Sequence, residues 1–243
     1  MNSRPHAVVF DFYGTLTVGT TVAERDAARH AVARALQVDP ATLTTAITAS
    51  FDERARGVTG DLAATMRWLA GRCGVAAGDT EIEAACAARI AVEREFMNPR
   101  PEAIGVLSVL RSTDHKIGVL SDCTHELPQL WAELPYGTYV DAAVFSIETG
   151  LRKPDPAMYA AVCDRLGVAP TDCIYLGDGG SNELTGARAA GMRAIQMCGP
   201  EFEHCHTYDA ETSWDGEIIT DLRELFAVLS IDPAAIPSVD QRV

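Results

Sequence analysis

The feature that most constrains this chain is the stretch Ala7-Val8-Val9-Phe10-Asp11-Phe12-Tyr13-Gly14-Thr15-Leu16. Four apolar residues run without a break into an aspartate, and a Gly-Thr turn follows. An unbroken apolar run reads as a strand buried on both faces, the form taken in a parallel sheet. Asp11 then stands at the carboxyl end of that strand, the edge of an open α/β sheet where ligands bind. A carboxylate there serves as a nucleophile or as a ligand for a hard cation. Gly14 permits a tight backbone that turns N–H groups toward an anion. Taken alone, the stretch reads best as a buried strand ending in a turn aspartate; the rest of the chain decides otherwise.

Residues 19 to about 100 read as helices. Thr21-Val22-Ala23-Glu24 is a capping box opening a helix to about Gln37. Asp39-Pro40 starts a second helix toward Arg54, and residues 60 to 72 form a third, closed by Gly74. Thr80-Glu81-Ile82-Glu83 is a second capping box, opening a helix to about Phe96, and Asn98-Pro99-Arg100-Pro101 breaks the pattern. From Pro101 helices alternate with short apolar strands at 116–120, 142–145, 173–176, 192–197 and 217–219. Helices are expected over 102–112, 156–166, 181–190 and 221–229. This alternation implies a doubly wound parallel sheet, Rossmann-like, with an inserted all-α segment. The expected division is an α/β core from residues 1–18 and 101–232, a helical cap over 19–100, and a tail over 233–243. An insert placed just after Asp11 overhangs the same sheet edge and is positioned to act as a lid.

The 243 residues suffice for one large α/β domain or a core with a smaller insert. No apolar run is long enough to span a bilayer, and residues 1–6 lack the apolar segment of a signal peptide, so a cytoplasmic protein is expected. A net charge of −14 argues against nucleic acid or an anionic membrane as partner. A local cluster of donors with a metal still accommodates a small anion. The seven cysteines form no C-x-x-C pair, and Cys86, Cys163 and Cys173 read as buried free thiols.

Three more strand ends or adjacent loops carry polar groups: Ser121-Asp122, Lys153 in a loop before a helix, and Asp178, followed by Gly179-Gly180-Ser181-Asn182-Glu183. All converge on one sheet edge. Carboxylates, a hydroxyl, an ammonium and glycine-rich turns suit a phosphate held beside Mg²⁺.

Asp11-x-x-Gly14-Thr15-Leu16, Ser121, Lys153-Pro154 and Gly177-Asp178-Gly179 resemble, in order, the four motifs of the haloacid dehalogenase-like hydrolases, and the helical insert is similar to their type 1 cap. The resemblance implies that Asp11 is the nucleophile and that Ser121 and the following amide, of Asp122, bind the transferring group. It implies that Phe12, Tyr13 and Gly14 line the substrate turn and that Lys153 neutralises charge. It places Mg²⁺ on Asp11, the backbone carbonyl of Tyr13, Asp178 and Glu183. Family phosphatases usually carry a second Asp two residues after the nucleophile; here that residue is Tyr13, whose phenol is a poor replacement. The Asp-x-Tyr-Gly-Thr-Leu form resembles the family's metal-independent 2-haloacid dehalogenases. The acidic Gly177-Asp178-Gly179-Gly180 resembles the metal-binding form instead. Ser121-Asp122-Cys123 also differs from the dehalogenases' usual Ser-Asn.

Three functions are therefore weighed. The leading one is a Mg²⁺-dependent phosphatase of a small phosphorylated metabolite, a sugar phosphate or nucleotide, acting as monomer or homodimer. The others are a dehalogenase and a non-catalytic homologue that binds a phosphorylated ligand or a protein. His125 is a candidate proton donor but reads more simply as a surface histidine. Cys198, His204, Cys205 and His206 fit no standard zinc spacing. Cap arginines 25, 29, 54 and 56 read as solvated, and Met66 and Trp68 as packing residues.

Overall fold

The computed structural model describes residues 6–201 and 208–232. The chain enters through β1 (Ala7–Phe10) and a turn over Phe12–Leu16. Five helices follow: α1 (Val22–Leu36), α2 (Pro40–Ala49), α3 (Phe51–Ala55), α4 (Leu62–Arg72) and α5 (Asp79–Phe96). Then come α6 (Ala103–Ser112), β2 (Lys116–Ser121), α7 (Glu126–Leu130), β3 (Ala142–Phe145), α8 (Ser146–Thr149), α9 (Pro156–Leu166) and β4 (Cys173–Gly177). The chain closes with α10 (Glu183–Ala189), β5 (Arg193–Met197), β6 (Glu217–Ile219) and α11 (Leu225–Val228).

The six strands form one parallel sheet in the order β3-β2-β1-β4-β5-β6. β1 sits at the centre, with Phe10 level with Val119 of β2 and Leu176 of β4. The strand order reverses beside β1, so the crevice at its carboxyl end is a topological switch point. Alternate residues of β1 feed two cores: Val8 and Phe10 pack into one apolar cluster, Ala7 and Val9 into the other. This is why the sequence shows an unbroken apolar run rather than an alternation: both faces of the strand are covered.

The cap has its own core. Leu36, Leu43, Met66, Leu69 and Ile82, drawn from four of its helices, are buried against one another. Each such side chain contributes roughly 1.5–3 kcal/mol of burial free energy, enough to keep the insert a separate packed layer. Met66 lies inside this core and Trp68 packs against it.

Local chemistry explains where the elements begin and end. Thr21 accepts from the Glu24 amide while Glu24 bonds back to Thr21, the expected capping box. Asp39 caps α2, where a helix start was expected, and Asp155 caps α9. The expected box at Thr80 does not form; α5 starts earlier, with Gly78 as its cap, and Asp79 and Glu81 sit in the first turn, where negative charge suits the helix dipole. The helix expected from Pro40 toward Arg54 breaks at Ser50. Its Oγ donates to the Ala46 carbonyl at 2.6 Å, a back-bond that bends helices. The helix expected from Ser181 begins at Glu183, because Ser181 and Asn182 are left-handed (φ 55° and 51°). The short α7 and α8 carry no periodic signal. Cys163 and Cys173 are buried, whereas Cys86 is only partly so. His204, Cys205, His206 and the tail from residue 233 lie outside the described residues. Among the described residues no helix is long and apolar enough to cross a membrane.

Candidate active site

Asp11 leaves β1 where the sheet stops. Its amide still donates to the Leu176 carbonyl at 2.8 Å, so the side chain is carried on a fixed backbone. Its Oδ1 accepts from Lys153 Nζ at 2.6 Å. The same ammonium touches Glu183 Oε2 and lies 3.3 Å from the Tyr175 hydroxyl. Tyr175 donates to Glu183 Oε2 at 2.6 Å, and the Gly179 amide donates to Oε1 at 2.9 Å. One carboxylate oxygen each from Asp11, Asp178 and Glu183 fall within 4.8 Å of one another. Gly14, at φ 77°, closes over them; a Cβ on it would stand 2.7 Å from Asp178 Oδ2. Only glycine fits this close approach.

Two carboxylates, Asp11 and Glu183, thus flank one ammonium, and Asp178 clusters with them, an excess of negative charge in a buried place. Burial drives the Asp11 carboxyl well above its usual range; Lys153 opposes this, while Glu183 and Asp178 add to it. Burial works against the Lys153 charge, but Asp11 and Glu183 outweigh it and hold its pKa high. An all-oxygen cluster with surplus negative charge fits a hard divalent cation. A cation held there removes the like-charge repulsion that otherwise disfavours an ionised Asp11.

Ser121 ends β2, fully buried. Its Oγ is one of two buried side-chain polar atoms without a hydrogen-bond partner among the described residues; Arg25 Nε is the other. Asp122 lines the cavity, but both of its oxygens are engaged. Oδ1 accepts from the Lys153 amide and Oδ2 from Arg152 Nε, each at 3.0 Å. It therefore anchors the loop that presents Lys153. The Phe12 ring is buried edge-on against Tyr13, Trp131 and Tyr136, which leaves only its backbone for a ligand. The Tyr13 hydroxyl donates to Glu93 Oε2 of the cap at 3.2 Å. Glu93 pairs with Arg89 at 2.8 Å, and Arg89 with Glu126 at 2.6 Å. Burial, then the Glu93 charge, pushes the Tyr13 phenol well up, so it stays neutral. His125 bonds the Gly60 carbonyl and does not line the cavity.

Cap and sheet edge enclose a cavity of about 110 Å³, with Asp11, Lys153, Asp178 and Glu183 at the core end and Arg25, Arg29 and Arg54 at the cap end. Several of its supports were not singled out from the sequence. Arg152, beside Lys153, ties Asp122 to Asp52 of the cap (3.0 Å) and Ser181 Oγ (3.1 Å). Arg100 donates to the Thr15 and Gly14 carbonyls at 2.9 and 2.8 Å, bracing the turn after Asp11. Only their positions next to motif residues or in the linker hinted at these roles.

Fold and cavity define a capped α/β protein with an acidic site at its strand ends. Residues 5–191 match the haloacid dehalogenase-like hydrolases, and the chain belongs to that family. A glyceraldehyde 3-phosphate phosphatase of Methanopyrus kandleri is 30% identical over 103 residues, 42% of this chain and 44% of that protein. A phosphoserine phosphatase of Thermus thermophilus is 32% identical over 133 residues, 52% of this chain and 49% of that one. The matched stretches thus span about half the length of these relatives. The solved 2-haloacid dehalogenase of Pseudomonas syringae pv. tomato superposes with a TM-score of 0.66 at 22% identity, over 92% of this chain and 97% of that one. At that identity the likeness concerns the fold.

Proposed function

We propose that this chain is a Mg²⁺-dependent phosphomonoester hydrolase of a small phosphorylated metabolite, working through an aspartyl-phosphate on Asp11. Residues 19–100 are taken as its cap. The observation that carries the reading is Asp178 placed with Glu183 beside Asp11. Mg²⁺, held by Asp11, Asp178, Glu183 and the Tyr13 carbonyl, would supply the charge neutralisation that lets an anionic nucleophile meet an anionic ester.

Asp11 attacks phosphorus through the carboxylate oxygen not bonded to Lys153; the bond from phosphorus to the ester oxygen breaks, and the departing oxygen takes its proton from water. Lys153, fixed by the Asp122-held loop, balances charge on Asp11 and on the transferring group. Ser121 Oγ, without a partner among the described residues, and the adjacent backbone amide are assigned to the phosphoryl oxygens. Water then attacks the aspartyl-phosphate and returns Asp11 to its carboxylate form. The phosphatase names of the two relatives support the substrate class.

Tyr13 favours a second reading, a 2-haloacid dehalogenase in which Asp11 attacks carbon and a halide leaves unprotonated. Asp178 weighs against it, because a carboxylate beside the nucleophile repels it when no cation is bound. The test is phosphate release from sugar phosphates, nucleotides and an aryl phosphate, with Mg²⁺ and with EDTA. Release that needs Mg²⁺ is expected. EDTA-insensitive phosphate release, or chloride release from a 2-haloacid in place of any phosphate release, overturns the proposal. If the biological role survives Asp11→Asn unchanged, the chain is a binding homologue.

A further inference from the structure

A chain of buried polar contacts runs from the cap into two turns of the sheet edge, with one guanidinium at its middle. Arg89 and Glu93 lie one helical turn apart on α5, and Arg89 Nη2 meets Glu93 Oε1 at 2.8 Å. The other oxygen of Glu93 accepts from the hydroxyl of Tyr13, which stands two residues after Asp11. On its other side Arg89 Nε donates to Glu126 Oε1 at 2.6 Å. Glu126 opens α7, and its Oε2 accepts from the Thr124 hydroxyl, in the loop that leaves Ser121 at the end of β2. The side chains of Glu93 and Glu126 are 6% and 3% exposed. Among the described residues Arg89 is the only cation paired with either carboxylate.

Burial works against the Arg89 charge, but Glu126 and Glu93 outweigh it and hold its pKa above the usual arginine range. Such a buried group adds little to stability, since neutral side chains of similar volume often replace it without loss; its best use is to fix a registry. The registry here is that of the cap on the two turns. Arg89 and Glu93 share α5, so they travel together if the cap lifts, while Glu126 and Tyr13 stay with the sheet. Lifting takes the cation from Glu126 and the acceptor from Tyr13, so the chain is complete only with the cap seated.

We propose that Arg89 is a positioning residue: by holding Glu93 against Tyr13 and Glu126 against Thr124, it aligns the turn after Asp11 with the loop after Ser121 while the cap is seated. Its effect on rate rests on the phosphohydrolase reading, in which Asp11 attacks a phosphoryl group held by Ser121 and the Asp122 amide. Arg89 acts through the two carboxylates and touches no reacting atom.

The test compares wild type, R89K, R89M and the triple variant R89M/E93Q/E126Q, each at the same interval below its melting temperature. Amide hydrogen exchange is read by mass spectrometry in peptides covering residues 12–17 and 122–126. The Thr17 amide, bonded to the Phe12 carbonyl, and the Cys123 amide, bonded to Ser146 Oγ, report the two turns. R89M and the triple variant are expected to exchange about tenfold faster in both peptides. With aryl phosphate and Mg²⁺ their kcat should fall about 10²-fold, the cost of a small misplacement, with KM changed less than about threefold. The triple variant leaves no buried charge unpaired, so its melting temperature should return toward wild type while its kcat stays low. R89K keeps the charge but not the fork that serves two carboxylates, so its kcat should lie between, about tenfold down. A kcat that recovers with the melting temperature in the triple variant overturns the proposal, because Arg89 then supports stability alone. A raised KM at full kcat overturns it as well, by making Arg89 a substrate contact. If only R89K folds, undiminished kcat in R89K overturns it. If wild type releases phosphate from no ester, the phosphohydrolase reading fails by itself. Hydrogen exchange then decides the alignment: faster exchange of both turns upholds it, and wild-type exchange overturns it.

Discussion

The two ends of the cavity are built in opposite ways. At the core end three carboxylates cluster together, two of them on one lysine, and each is fixed by a strand end or a braced loop. At the cap end guanidinium groups sit on helices, surrounded by aromatic rings and neutral acceptors. The core end carries surplus negative charge, which is destabilising when buried unless a cation completes it. At the cap end the charges are shared within the protein: Arg29 pairs with Asp26, and Arg89 with both Glu93 and Glu126. The core end thus gives up stability that the cap end keeps.

The largest effect that separates the ends is expected from Asp11→Asn. Turnover of an aryl phosphate should fall at least about 10³-fold, with binding of a phosphonate retained; undiminished turnover would put the nucleophile elsewhere. Next comes Asp178→Asn, which should weaken the Mg²⁺ requirement curve about 10²-fold. Because it removes one of three clustered charges, it should also raise the melting temperature of the metal-free protein. A lower melting temperature would mean that the crowding is relieved within the fold. Comparable in free energy, but read in stability, is Arg152→Gln, which cuts the tie between Asp122 and Asp52 of the cap. Removing one partner of a buried pair costs about 3–5 kcal/mol, and the exposure of Asp52 places this case near about 3 kcal/mol, read from the urea midpoint.

The smallest effect lies away from the cavity and sets the scale for it. His115, half-buried before β2, is pulled below its usual pKa of 6.5 by burial, with the His6 charge adding to the effect. Its folded-state pKa is lower than its unfolded one, so between the two the unfolded chain binds more protons. Stability from this group is present above pH 6.5 and is lost as pH falls through the folded-state value. Melting curves of wild type and His115→Asn should diverge at neutral pH and converge in acid; parallel curves would remove the histidine from the account.

The same contrast explains what could be read from the sequence. The core end follows from chain order, because a parallel strand buried on both faces must end at the ligand edge. Asp11, Ser121 and Asp178 each stand directly at or just beyond such an end, and Lys153 lies in the loop between α8 and α9 that follows β3. Arg54 gives no comparable sign: which way a helical arginine points depends on the break at Ser50, a tertiary packing outcome. Glu93 is equally silent, since it meets Tyr13 across 80 residues. Asp122 could be placed beside the site, but its spending on Arg152 and the Lys153 amide depends on a loop conformation no motif encodes. The helical boundaries set by capping side chains were legible at Thr21, Asp39 and Asp155. Those set by backbone or packing, at Gly78 and Asn182, were not.

The most direct test of the central claim is to quench wild-type protein in acid while it turns over an aryl phosphate with Mg²⁺, then map its peptides by mass spectrometry. A phosphoryl group on the peptide carrying Asp11, absent from Asp11→Asn and from samples in EDTA, is the expected result. Turnover with no adduct on Asp11, or with an adduct on another residue, would contradict the account.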